Sequence, residues 1–266
     1  MSEKIALVLC GGGAKGAIEV GFYRAIVEKG IKVDLVVGSS IGAINGAFIS
    51  AGVSPYDLDI IWRNLRMDDL YGFNWSNLWK FFSSDSFYDH SRFRYFLQRY
   101  LPVGEFELLQ IPLIVPCTNL QTGEPVYLRK GNLIDALMAS MAMPGVFPPQ
   151  MCQEIQLVDG SVSDNVPIEI AVMEGATTIL CMEYTSERVT GREVHGLVKI
   201  ISRAFSITMD RKTISDVRYF RDKAKLIVLQ PDFGMNVEIL DFSHTAELLE
   251  RSYIFSKEIL DKEYRP

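Results

Sequence analysis

Apolar positions along the 266-residue chain fall into two alternating kinds of run. Residues 4–10 (KIALVLC) are almost continuously apolar and stop at three glycines, which predicts a strand buried on both faces. From Gly16 to Lys29 the spacing of Ala17, Val20, Tyr23, Ala25 and Val27 fits a helix, closed by Gly30. Residues 32–37 (KVDLVV) read as a second strand, followed at once by Gly38-Ser39-Ser40-Ile41-Gly42 and a helix to Ala51. This alternation is the βαβ pattern of a parallel sheet covered by helices on both faces. Further strands are expected at 111–118, 125–128, 154–158, 177–182 and 225–230. Helical patterns lie at 55–66, 91–100, 132–141, 166–174, 197–220 and 244–262. The expectation is an α/β fold in one domain over residues 1–266.

Two stretches break this rhythm. Residues 71–100 hold 12 of the chain's 29 aromatic side chains, within an expected helical insertion at 55–105. They read either as core packing or as an apolar cover over a site for a greasy ligand. Leu197, Ile200, Ile201, Ala204, Phe205 and Met209 have helical spacing and read as a core-packing face, with a membrane-surface helix as the alternative. Leu248, Leu249, Tyr253, Ile254, Ile259 and Leu260 read as a docking helix.

Composition narrows the class. Apolar residues are 48% and charged residues 23%, as in an average soluble globular protein, which excludes collagen-like and disordered readings. The net charge of −6, with no basic run, argues against a nucleic-acid partner. No apolar stretch reaches the ~18 residues needed to span a bilayer. The opening MSEKIALVLCGGGAKG is too short in apolar residues for a secretory leader, so a cytoplasmic protein is expected, with peripheral membrane contact as an option. Cys10, Cys117, Cys152 and Cys181 are widely spaced and read as buried reduced thiols. No pattern specifies an oligomeric state.

Gly11-Gly12-Gly13-Ala14-Lys15-Gly16 lies between the first strand and its helix. Its spacing satisfies G-x-G-x-x-G, so a nucleotide-dependent oxidoreductase is one reading. That fingerprint wants an acid at the end of the second strand, whereas Asp34 opens it. A phosphate-binding P-loop fails too, because Lys15 precedes the last glycine and no Gly-Lys-Ser/Thr follows. A tight turn remains, and so does a cradle of backbone N–H groups for a negative oxygen. Gly38-Ser39-Ser40-Ile41-Gly42 is a G-x-S-x-G between strand and helix, the setting in which the middle serine projects as a nucleophile. Its base is either one of His90, His195 and His244 or a carboxylate. Asp159-Gly160-Ser161 directly follows a predicted strand. Glycine loop, Ser40 and Asp159 thus each follow a strand end, where ligand sites form in parallel sheets. The histidines are expected to be structural or surface residues.

In this order, GGGAKG, GSSIG and DGS resemble the patatin-like phospholipases, as do Ala139-Ser140-Met141-Ala142-Met143-Pro144 and Asn165-Val166-Pro167. The resemblance covers residues 4–183. It implies a three-layer patatin-like fold, hydrolysis of lipid acyl esters, Ser40 as nucleophile and Asp159 as its base. It also implies an oxyanion hole in the glycine loop, no metal and no cofactor, and a lipid or other acyl ester as substrate. Lys15 reads either as added positive potential or as a solvated lysine. Ser161 departs from the family's Gly or Ala, which leaves a catalytically degenerate regulatory protein on the same fold as an alternative.

Overall fold

The continuously apolar runs form strands because strands covered on both faces bury every side chain. The computed structural model describes residues 3–66, 70, 72–73, 88–89, 91–144, 146–152, 154–183, 193–235, 237–238 and 241–264. Its strands are β1 (Ile5–Leu9), β2 (Leu35–Gly38), β3 (Gly72–Phe73), β4 (Tyr88–Asp89), β5 (Leu113–Asn119), β6 (Pro125–Leu128), β7 (Gln150–Cys152), β8 (Ile155–Asp159), β9 (Thr178–Met182) and β10 (Lys225–Leu229). Its helices are α1 (Ala17–Glu28), α2 (Ile41–Ser50), α3 (Pro55–Asn64), α4 (Ser91–Tyr100), α5 (Leu133–Ser140), α6 (Ser161–Asp164), α7 (Ile168–Met173), α8 (Leu197–Phe220) and α9 (Thr245–Glu263).

Strands β10, β9, β1, β2 and β5 lie side by side in that order, all parallel. Beyond the end of β2 the sheet changes sense, because β5 pairs antiparallel with β6 and β8, and β8 with β7. Alternate residues of β1 feed two cores. Ile5, Leu7 and Leu9 pack with α1, α2 and α9, whereas Ala6 and Val8 pack with Ile168, Ile170 and Ala171 of α7. The mixed α/β sheet therefore carries helices on both faces.

The periodic helices stand where their patterns place them. Ser54 caps α3 through the Asp57 N–H, and Asn132 caps α5 through the Asp135 N–H. Helix α9 buries Leu248, Leu249 and Leu260 against α1. It approaches so closely that a Cβ on Gly21 would strike the Leu249 carbonyl. Within the aromatic stretch, α4 buries Phe93 and Phe96, and Phe96 meets Phe48 edge-on at 6.4 Å. Tyr95 and Tyr100 are exposed. Residues 74–87, with most of the remaining aromatics, and His90 lie outside the described residues.

Of the residues expected to pack helix α8 into the core, Ile200 and Ala204 are exposed and Met209 is half-buried, while the side chains of Leu197, Ile201 and Phe205 lie outside the described residues. Thr213 and Phe220 are buried, but Ile200, Ile207 and Ile214 face outward. The helix is tied down by polar contacts: Lys212 Nζ lies 2.9 Å from Asp164 of α6 and 2.5 Å from Asp216.

Candidate active site

β2 ends at Gly38, and the chain reverses so sharply that Ser40 takes φ 54° and ψ −126° before α2 begins at Ile41. A non-glycine residue at positive φ is strained, and a sharp strand-to-helix turn around the middle serine of G-x-S-x-G imposes such a conformation. The flanking glycines make the turn possible. A Cβ on Gly38 would strike the Gly42 carbonyl, and one on Gly42 would sit 2.6 Å from the Leu9 carbonyl.

Ser40 Oγ donates to Asp159 Oδ2 at 2.7 Å. Asp159 is fully buried. Burial pushes its carboxyl up to about 6, opposed by hydrogen bonds from the Ser161 N–H, the Ser40 hydroxyl and the Ser161 hydroxyl. The Ser161 N–H reaches Asp159 Oδ1 at 2.8 Å. Ser161 thus holds the carboxylate and does not displace it. Gly160 admits no side chain, since a Cβ there would run into the Pro116 carbonyl. The Asp159 strand corrects the picture of three parallel strand ends: β8 runs antiparallel to β5.

The glycine loop sits against this pair. A Cβ on Gly11 would lie 3.1 Å from Ser40 Cβ and 3.4 Å from Ser161 Cβ. The Gly11 N–H is engaged by Asn165 Oδ1 at 3.2 Å. Gly13 to Gly16 form a 3₁₀ turn in which Gly13 has φ 59°, a conformation glycine takes without strain. Gly12 and Gly13 open that turn, so their N–H groups have no acceptor within it. Ala14 and Gly16 are buried, and the half-buried Lys15 gives its N–H to the Gly12 carbonyl at 3.3 Å.

Several residues escape sequence reasoning. Ser140 Oγ accepts the Ser40 N–H at 3.0 Å and donates to the Pro116 carbonyl at 2.8 Å, bridging α2 and β5. Glu19, buried on α1, accepts the Cys10 N–H at 2.7 Å and an Asn45 Nδ2 hydrogen at 2.7 Å. Asn45 also donates to the Gly16 carbonyl and accepts from Trp62 Nε1 at 2.8 Å. This chain clamps the glycine loop to the helix that begins beside Ser40. Burial pushes the Glu19 carboxyl up to about 8. The one available signal was polar residues inside otherwise apolar helical faces.

Among the described residues no histidine bonds to Ser40 or Asp159. His195 lies 3.3 Å from Glu193, and His244 lies 3.7 Å from Asp241, both on the surface. Asp34, the residue a dinucleotide reading needs at the end of β2, instead accepts the Ile5 N–H where β1 begins. Cys10, Cys117 and Cys181 are buried, Cys152 is half-buried, and all four are free.

Fold and site together define an α/β protein organised around a buried serine–carboxylate pair. The sequence profile of the patatin-like phospholipases matches residues 7–172, and the chain belongs to that family. It is 26% identical over 284 residues to lysophospholipase nte1 of Aspergillus fumigatus, matching 97% of this chain but 18% of that protein. It is 31% identical over 191 residues to the patatin-like phospholipase domain-containing protein ZK370.4 of Caenorhabditis elegans, covering 68% of this chain and 14% of that protein. The chain therefore spans less than a fifth of these relatives' length. The fold is that of VipD from Legionella pneumophila, with a TM-score of 0.54 at 15% identity over 99% of this chain and 67% of that one. ExoU, a type III effector, aligns with a TM-score of 0.51 at 13% identity over 98% of this chain and 53% of that one.

Proposed function

We propose that the protein is a lipid acyl hydrolase in which Ser40 is the nucleophile and Asp159 the general base. The observation that carries this reading is the 2.7 Å hydrogen bond from Ser40 Oγ to a buried carboxylate pushed up to about 6. Such a carboxylate is mostly ionised at neutral pH yet basic enough to take a proton. Family membership supports a lipid ester as substrate, and the name of the nte1 relative supports a lysophospholipid.

In the first step Asp159 takes the Ser40 proton as Oγ attacks the ester carbonyl carbon. The oxygen that gains negative charge would be met by the Gly12 and Gly13 N–H groups, a role supported by how closely their loop passes Ser40, since a Cβ added to Gly11 would lie 3.1 Å from Ser40 Cβ. The C–O bond to the alcohol breaks, and Asp159 returns the proton to the departing oxygen. Water, deprotonated by Asp159, then attacks the acyl-enzyme, releasing the fatty acid and restoring Ser40.

A fluorophosphonate probe should label Ser40 as mapped by mass spectrometry, and Ser40→Ala should abolish both labelling and hydrolysis of a panel of lysophospholipids, phospholipids and short esters. Labelling at Ser39 or Ser140 would overturn the assignment.

A further inference from the structure

Helix α8 carries an outer face that the site does not use. Ile200, Ile207 and Ile214 recur every seven residues, two helical turns apart, and are 50%, 45% and 41% exposed. At 100° per residue they share a side of the helix with Arg203, Arg211 and Arg218. None of these three arginines is in an ion pair among the described residues. Of the acids in the helix body, Asp216 lies on the opposite side, whereas Asp210, seven residues from Arg203, borders this face. Asp216 pairs with Lys212, and the Glu183 carboxyl is pushed up by burial first and by Asp210 second. A chain of net charge −6 thus gathers unpaired arginines among exposed isoleucines on one helix face. Between Arg211 and Arg218 the surface dips into a shallow groove of about 400 Å³, lined also by Ile214, Ser215 and Tyr219.

A second copy of the chain fits this face poorly, because pairing it with itself would set arginine against arginine. An anionic lipid surface satisfies both components. Isoleucines enter the boundary between head groups and acyl chains, while guanidinium groups pair with phosphates. We propose that the outer face of α8 seats the protein on an anionic phospholipid membrane, with a head-group phosphate between Arg211 and Arg218. The choice of a lipid occupant rests on the lipid hydrolase reading above. The inner face of the same helix holds Asp164 through Lys212, five residues beyond Asp159. Membrane seating would therefore brace the segment that carries the proposed base.

The test uses the full chain and sedimentation with vesicles, of phosphatidylglycerol and phosphatidylcholine in equal parts or of phosphatidylcholine alone. Wild type should partition onto the mixed vesicles about tenfold more strongly, and raising salt from about 0.1 M to about 0.5 M should release it. Arg211→Gln with Arg218→Gln, and separately Ile207→Ser with Ile214→Ser, should each weaken partition about tenfold. Both should keep the wild-type circular dichroism and the wild-type rate on a water-soluble short-chain ester. Variants that bind like wild type, equal binding to both vesicle types, or a wild-type dimer that the isoleucine variant dissociates would each overturn the proposal. Vesicle binding of wild type without hydrolysis of any ester would instead count against the lipid hydrolase reading and leave the membrane face standing.

Discussion

Asp159, the last residue of β8, is paired antiparallel with Cys117 in the middle of β5. Ile114, three residues before Cys117, is paired with Val37 of β2, and Ser40 lies three residues beyond Val37. The two registers therefore bring the ends of β2 and β8 to the same level of the sheet. The Ser40–Asp159 hydrogen bond follows from strand pairing across three chain segments, and the turn at Gly160 aims the carboxylate at the serine.

The pH dependence of turnover tests Asp159. A base pushed up to about 6 loses its proton as pH rises through that value, so activity should climb across the same window. Asp159→Asn preserves shape but accepts no proton, and turnover should fall about 10²–10⁴-fold with the acidic limb abolished. His195→Ala and His244→Ala should each stay within about tenfold of wild type. A histidine variant as inactive as Ser40→Ala, yet folded, would replace the dyad with a triad.

The two glycines at the head of the 3₁₀ turn should behave differently. Gly13 needs φ 59°, so Gly13→Ala is strained and should lower turnover by displacing the N–H groups of the proposed oxyanion hole. A Cβ on Gly12 meets only the Lys15 side chain, at an ordinary 3.5 Å, so Gly12→Ala should keep the fold. Steady-state kinetics on a soluble ester with both variants checks the order. Equal losses would place the sensitive donor elsewhere.

Glu19 should make stability fall with rising pH. Its carboxyl titrates near the ordinary 4.5 when unfolded and at about 8 when buried. Between those values the native state binds the extra proton, so its contribution is whole below 4.5 and is lost as pH rises through about 8. The loss is on the order of a few kcal/mol. Glu19→Gln, measured by urea unfolding from pH 5 to pH 9, should flatten this fall relative to wild type. An unchanged slope would mean that the carboxyl stays ionised in the fold.

Two neighbouring serines offer an internal control. Ser39 Oγ is buried with no hydrogen-bond partner, so Ser39→Ala should be neutral or stabilising by up to about 1 kcal/mol. Ser140→Ala would leave the Ser40 N–H and the Pro116 carbonyl buried and unpaired, costing about 1–3 kcal/mol. Thermal melts of both variants separate the two. Equal melting temperatures would show that the Ser140 bridge contributes nothing.

The sequence by itself determined the features whose causes are local. Strands β1, β2 and β9 announce themselves because every residue in them is buried, and α3 and α5 because a capping side chain precedes an apolar face. Ser40 was legible because small residues must flank a turn that no other backbone can make, and Asp159 because it stands at a strand end beside a glycine. Tertiary structure alone decided the direction of β8, since an antiparallel strand has the same composition as a parallel one. It also decided that Asn165 would bind Gly11, that Ser140 would hold Ser40, and that Trp62, Asn45 and Glu19 would join in one buried chain. Each of those contacts depends on which distant segment arrives opposite, and a side chain carries no mark of its partner. The outer face of α8 has the same cause: helical periodicity shows that isoleucines share a side, and only packing of the opposite side onto α6 and α7 turns them toward solvent.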